Sequence, residues 1–110
     1  MNIYRESEIT VHQLNDLREK DSNIQILDIR DDTERNHALI KDSIHIKLTE
    51  IANRHNELDK NKNIFVMSHT GTRRQTVVKW LKKNGYGYSV NVLGGIDAWA
   101  ALIDRNIRRY

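Results

Sequence analysis

Asn63-Ile64-Phe65-Val66-Met67-Ser68-His69-Thr70-Gly71-Thr72-Arg73-Arg74, continued by a helical run to Lys83, is the stretch from which the rest of this chain can be read. Ile64 to Met67 form an unbroken apolar run, the pattern of a strand buried on both faces. A short polar turn with one glycine follows. Val77, Val78, Trp80 and Leu81 then face inward from an amphipathic helix that Asn84-Gly85 brings to a stop. A strand that turns directly into a helix aims main-chain N–H groups and the positive end of the helix dipole at one point in space. The side chain that opens the turn, Ser68, is therefore expected inside an anion-stabilising cup.

Strands and helices alternate on either side of this unit. Thr10-Val11-His12-Gln13 has capping-box spacing, and Val11, Leu14 and Leu17 place one buried stripe on a helix from Val11 to about Lys20. Asp21-Ser22-Asn23 breaks it. Ile24 to Ile29, with Asp28 near its end, reads as a central parallel strand. Asp31 to His37 is polar with room for a helical turn. Ile44 to Leu48 alternates as a half-buried strand does, and Leu48, Ile51, Ala52, His55 and Leu58 then follow helical spacing with Thr49 as cap. Asp59 to Asn63 is a polar turn. Ser89 to Leu93 is a further strand, and Gly94-Gly95 turns into a helix carrying Ile96, Trp99, Ala100, Leu102 and Ile103. Residues 1 to 9 are expected to supply a short edge strand around Ile3-Tyr4. This alternation implies an α/β layer structure with a mainly parallel sheet. Ligands bind such sheets beyond the carboxyl ends of the strands, where the loop after Met67 and the segment after Asp28 both lie.

Composition narrows the function classes. At 110 residues the chain suits one domain. Its 38% hydrophobic and 30% charged residues suit a soluble globular protein. No apolar run approaches the roughly 18 residues of a membrane span, and the polar start Met-Asn-Ile-Tyr-Arg-Glu-Ser-Glu lacks the apolar core of a signal peptide, so a cytoplasmic protein is expected. The net charge of +3 is a mild excess, partly concentrated in Arg105, Arg108 and Arg109 and in Lys79, Lys82 and Lys83, which reads as a solvated surface rather than a nucleic-acid footprint. His12, His37, His45, His55 and His69 have no metal-ligand spacing. There is no cysteine and no proline. Disulfides and thiol chemistry are thus excluded for this chain as it stands, and turns rely on Gly, Asn and Asp.

Four motifs in order resemble a rhodanese-like domain, and the resemblance extends roughly from Ile9 to Arg105. The motifs are Ile26-Leu27-Asp28-Ile29-Arg30, Ile44-His45-Ile46 leading into a helix, the six-residue loop Ser68-His69-Thr70-Gly71-Thr72-Arg73, and Leu93-Gly94-Gly95-Ile96-Asp97-Ala98-Trp99. The resemblance implies a single domain over residues 1–110, with a mainly parallel five-stranded sheet and helices on both faces. It also implies a sulfurtransferase that passes sulfane sulfur through a cysteine persulfide, without a cofactor or metal. The partners implied are a small anionic sulfur donor such as thiosulfate and a thiol or cyanide acceptor, with a sulfur-carrier protein or fused domain as a further candidate. Neither nucleic acid nor a membrane is implied. Three positions depart from the family pattern. Ser68 stands where the catalytic Cys is expected, Ala38-Leu39 align with a Gly-His pair, and Arg74 occupies a position commonly Ser or Thr.

The site residues carry specific expectations. A serine hydroxyl is a far weaker acid than a thiol and cannot hold the extra sulfur. Ser68 is therefore either a replacement that keeps loop geometry while stopping the chemistry, or a natural loss that leaves a binding or regulatory module. Gly71 is expected to bend the loop with a positive φ. Arg73 either binds the anionic substrate or pins the loop to a carboxylate. His69 points to solvent or to the mouth, and Thr70 and Thr72 complete the loop. Asp28 and Arg30 are expected to tie its base by hydrogen bonds. Gly94 and Gly95 are turn residues, and Trp80 and Trp99 are core. A phosphatase resembling the cell-cycle dual-specificity enzymes is a further reading of the same fold. Those enzymes need a loop one residue longer to ring a tetrahedral phosphate, and Ser68 to Arg73 counts as the shorter class.

Overall fold

The computed structural model describes residues 3–21, 24–69 and 71–107. Ser22, Asn23, Thr70, Arg108 and Arg109, singled out above, lie outside the described residues. Five parallel strands form one sheet: β1 (Glu8–Ile9), β2 (Gln25–Asp28), β3 (Ile44–His45), β4 (Ile64–Met67) and β5 (Ser89–Val92), in the spatial order β1-β5-β4-β2-β3. The helices between them are α1 (Val11–Lys20), α2 (Asp32–His37), α3 (Ile51–Arg54), α4 (Gly71–Lys83) and α5 (Gly95–Leu102).

Strand periodicity divides the interior into two layers. Along β4, Phe65 and Met67 point into a cluster with Leu14 of α1 and Ile96 and Trp99 of α5. Ile64 and Val66 point the other way, against Ile51 of α3 and Val77, Val78 and Leu81 of α4. Helices thus cover both faces, as parallel strands require. No helix among the described residues is long and apolar enough to cross a membrane.

Local signals explain the boundaries. The Thr10 hydroxyl accepts from the Gln13 amide and the Gln13 side chain accepts from the Thr10 amide, the capping box expected for α1. After α4, Gly85 takes a φ of 97° and the Tyr86 amide bonds back to the Leu81 carbonyl, which closes the helix end.

Four expectations are corrected. The edge strand is Glu8–Ile9 rather than Ile3-Tyr4. The main chain of Tyr4 pairs instead with the Asn63 side-chain amide, at 2.8 Å to Oδ1 and 2.7 Å from Nδ2. The segment from Leu48 to Glu57 is not one helix. 3₁₀ turns at Leu48–Glu50 and His55–Glu57 flank α3, and at the second the His55 carbonyl is taken by the Tyr86 hydroxyl at 2.7 Å and by the Leu58 amide at 3.0 Å. β3 is shorter than Ile44 to Leu48, and Trp80 is only half-buried, packed at the margin of its layer.

Candidate active site

β2 and β4 run side by side with Asp28 opposite Met67, so the segments that leave both strands start at the same level of the sheet. The Ile29 amide donates to the Met67 carbonyl at 3.1 Å and joins the two exits. Ser68 follows Met67 and is 1% exposed. α4 begins three residues later at Gly71 and runs for 13 residues, so its N-terminal end is directed at this junction. The strand-to-helix turn read from the sequence is present.

The carbonyl of Ser68 is held from two directions. It accepts from the Ile96 amide at 3.1 Å and from Arg74 Nη1 at 3.2 Å. Arg74 Nε donates to Asn91 Oδ1 on β5 at 2.9 Å, and the whole Arg74 residue is 5% exposed. Burial lowers the Arg74 pKa below its ordinary value, yet a guanidinium remains charged throughout the physiological range. Gly95 makes this convergence possible. With a φ of 55°, a Cβ there would fall 2.0 Å from the Ser68 oxygen and 2.4 Å from Arg74 Nη1. Only glycine fits.

Asp28 and Arg30 form a second buried knot. Asp28 is 3% and Arg30 1% exposed. Arg30 Nε and Nη2 donate to the two Asp28 carboxylate oxygens at 2.9 and 2.7 Å, and Arg35 Nη1 adds a third contact at 3.0 Å. Burial alone would raise the Asp28 pKa, but the hydrogen bonds from Arg30 and the charges of Arg30 and Arg35 outweigh it and hold the carboxyl below its usual value. Arg30 also donates to the Ala38 carbonyl through Nη2 and to the Glu34 carbonyl through Nη1. The knot therefore fastens α2 and the turn after it to β2; its link to the Ser68 turn is the main-chain bond from Ile29.

The remaining loop residues are dispersed. His69 and Thr72 are exposed, and Thr72 lies in the first turn of α4. Arg73 is 53% exposed in its side chain, and its nearest carboxylate is Glu34 on α2 at 3.9 Å. Gly71 is the first residue of α4. Gly94 and Gly95 both take left-handed backbone, as expected of a turn, and Trp99 is core.

Arg74 and Asn91 were not among the expected site residues. The signal for Arg74 was available: 74, 77, 78 and 81 lie on one helical stripe, and all four are buried.

The comparisons agree with this geometry. The rhodanese-like domain family model matches residues 10–102. The Bacillus subtilis protein named "Putative sulfurtransferase YtwF" is 33% identical over 92 residues, which cover 84% of this chain and 88% of that protein. "Putative sulfur carrier protein YrkF" of the same organism is likewise 33% identical over 92 residues, but the chain spans only 50% of its length. The crystal structure of a rhodanese-like domain protein from Staphylococcus aureus superposes with a TM-score of 0.82 at 28% identity, covering 96% of this chain and 99% of that one. With the strand order, the buried junction at Ser68 and a family match over residues 10–102 all in agreement, the chain belongs to the rhodanese-like domain family of the sulfurtransferases.

Proposed function

We propose that this chain is a sulfurtransferase domain halted at its nucleophile. With Cys in place of Ser68 it would pass sulfane sulfur from thiosulfate or a persulfide donor to a thiol or to cyanide. The residue-68 thiolate would attack the outer sulfur of thiosulfate. The sulfur–sulfur bond of the donor breaks, sulfite leaves with the bonding pair, and a persulfide remains on residue 68. Cyanide or an acceptor thiolate would then attack the terminal sulfur and release residue 68 as thiolate. The turn from Ser68 to Arg73 is the proposed cup, in which convergent amides and the α4 dipole stabilise the anionic sulfur much as an oxyanion hole stabilises oxygen. The observation that carries this reading is the position of Ser68, buried at the β4–α4 junction on the carboxyl edge of the sheet. A sulfur-carrier protein or a fused domain is the proposed acceptor class. The name of one Bacillus relative, a putative sulfur carrier protein, supports that class.

The test is the Ser68→Cys protein with thiosulfate and then cyanide. A gain of the mass of one sulfur on the protein, followed by thiocyanate, is expected, with the Ser68 chain inert in both assays. A Ser68→Cys protein that folds and acquires no sulfur overturns the reading. The complete absence of cysteine favours a second reading, in which the chain is a binding or regulatory module by nature. The native codon at position 68 separates the two: a serine codon supports the module, a cysteine codon the halted enzyme.

A further inference from the structure

We propose that Arg74 is a positioning residue for an anionic sulfur at residue 68, clamping that residue's carbonyl and supplying the buried positive charge against which the sulfur is held. This rests on reading residue 68 as the sulfur-bearing position. The guanidinium is fixed at both ends of its fork, by Asn91 Oδ1 at 2.9 Å and by the Ser68 carbonyl at 3.2 Å. Both acceptors are neutral. They satisfy hydrogen bonds without cancelling charge, and Arg74 forms no ion pair with any carboxylate among the described residues. Buried charges in proteins are ordinarily paired, because an isolated one loses its hydration without return. A cation kept buried against neutral groups, and hydrogen-bonded to the carbonyl of the proposed nucleophile's own residue, has its natural counter-ion in an anion bound or formed at that residue.

The surroundings leave this role open. Asp28, on β2, is already engaged by Arg30 and Arg35, so three buried or half-buried guanidiniums stand with one buried carboxylate along this edge of the sheet. His69 and Arg73 lie on the exposed side of the loop and helix, and Arg73 is nearest Glu34 on α2. Asp97 sits in the first turn of α5, and β5 carries no ionisable residue. Gly95 supports the same conclusion, since a side chain there would occupy the space that Arg74 Nη1 and the Ser68 carbonyl share.

The experiment titrates the residue-68 thiol by its ultraviolet thiolate absorbance in Ser68→Cys and in the same protein carrying Arg74→Gln or Arg74→Lys. An opposite charge a few ångströms away lowers an acid's pKa by about 1–3 units. Arg74→Gln is therefore expected to raise the thiol pKa by about one unit or more. Arg74→Lys should restore most of the depression. The acid limb of the pH–rate profile for thiosulfate should move with the thiol, while KM changes little. Asn91→Asp is the second variant. It keeps the hydrogen bond to Nε and neutralises the guanidinium, and is expected to raise the thiol pKa without disturbing the fold. A thiol pKa that is the same in Ser68→Cys, its Arg74→Gln form and its Asn91→Asp form overturns the proposal. Should Arg74→Gln fail to fold, Asn91→Asp alone decides. The thiol titration reads Arg74 and thiocyanate reads the transfer. Thiocyanate with a thiol indifferent to Arg74 refutes this inference alone; an Arg74-dependent thiol that never yields thiocyanate refutes the sulfur-transfer reading alone.

Discussion

Gly95 is the residue on which the geometry at Ser68 is most exacting. Its φ of 55° is left-handed, and an added Cβ would meet the Ser68 main chain as well as an Arg74 guanidinium already held by hydrogen bonds. Gly95→Ala is expected to cost about 2–5 kcal/mol, from about 1–2 for the left-handed backbone and about 1–3 for overpacking. Gly87 is the contrast. A Cβ there meets nothing within 4 Å, and its φ is not left-handed. Gly87→Ala should fall within about 0.5 kcal/mol of the parent. Urea unfolding of both variants checks the pair, and equal midpoints would show that the 2.0 Å approach to the Ser68 carbonyl is not a constraint. At this scale the sequence was legible where the signal is local. Gly94-Gly95 announces a turn and Ser68 opens a strand-to-helix turn. Arg74 was not legible in the same way. Its place on the buried stripe of α4 was visible, but its hydrogen-bond partners lie 6 and 17 residues away, and only the folded sheet brings the Asn91 amide within reach of a guanidinium.

Short elements at the edge of the sheet survive by their ends. α2 has six residues, too few to stand alone in water. The Asp31 carboxylate accepts from the Glu34 amide at 2.8 Å and the Glu34 side chain accepts from the Asp31 amide, closing a capping box. At the other end, Arg30 takes the Glu34 and Ala38 carbonyls. Asp31→Ala is expected to cost about 1 kcal/mol and to speed amide exchange within α2 more than elsewhere. Asp31→Ser should recover most of the loss, and an Asp31→Ser protein as weak as Asp31→Ala would show that capping is not the role. The polar composition of Asp31 to His37 shows room for a helical turn but not what closes its C-terminal end, because the Arg30 bonds there come from the preceding strand exit. The error between Leu48 and Glu57 has the same origin. Apolar spacing there is helical, but the Tyr86 hydroxyl, 31 residues away, claims the His55 carbonyl where the chain tightens into the 3₁₀ turn His55–Glu57. Periodicity reports which side of a segment is buried, and side chains from distant elements decide how its backbone bonds are spent.

Across the whole molecule, one buried carboxylate couples the sheet to its covering segments. Asp28 joins Arg30 and Arg35, Arg35 reaches Ser43 ahead of β3, and the Asp28 carbonyl accepts from the Ile46 amide. β2, α2 and the approach to β3 are therefore linked through a group whose charge depends on pH. An Asp in an unfolded chain titrates near about 3.9, and in this fold its pKa lies lower. Its contribution is thus complete above the unfolded value and disappears as pH falls through the folded one, because there the unfolded chain binds a proton that the native carboxylate refuses. The free energy of unfolding is expected to decline as the pH is lowered from about 4 toward the folded pKa of Asp28. Asp28→Asn should be weaker by about 3–5 kcal/mol at neutral pH, since Arg30 would remain buried without its counter-ion. Its acid limb should also be shallower than the parent's. It should not be flat, because the exposed Glu57 carboxyl, held down by Arg54, contributes in the same pH range. Arg35→Gln, which removes only the half-buried partner, should give an intermediate slope. Urea unfolding of the three proteins at a series of pH values from 7 to 3 measures this directly, and identical acid limbs in the parent and Asp28→Asn would place the acid sensitivity of the fold on other carboxylates.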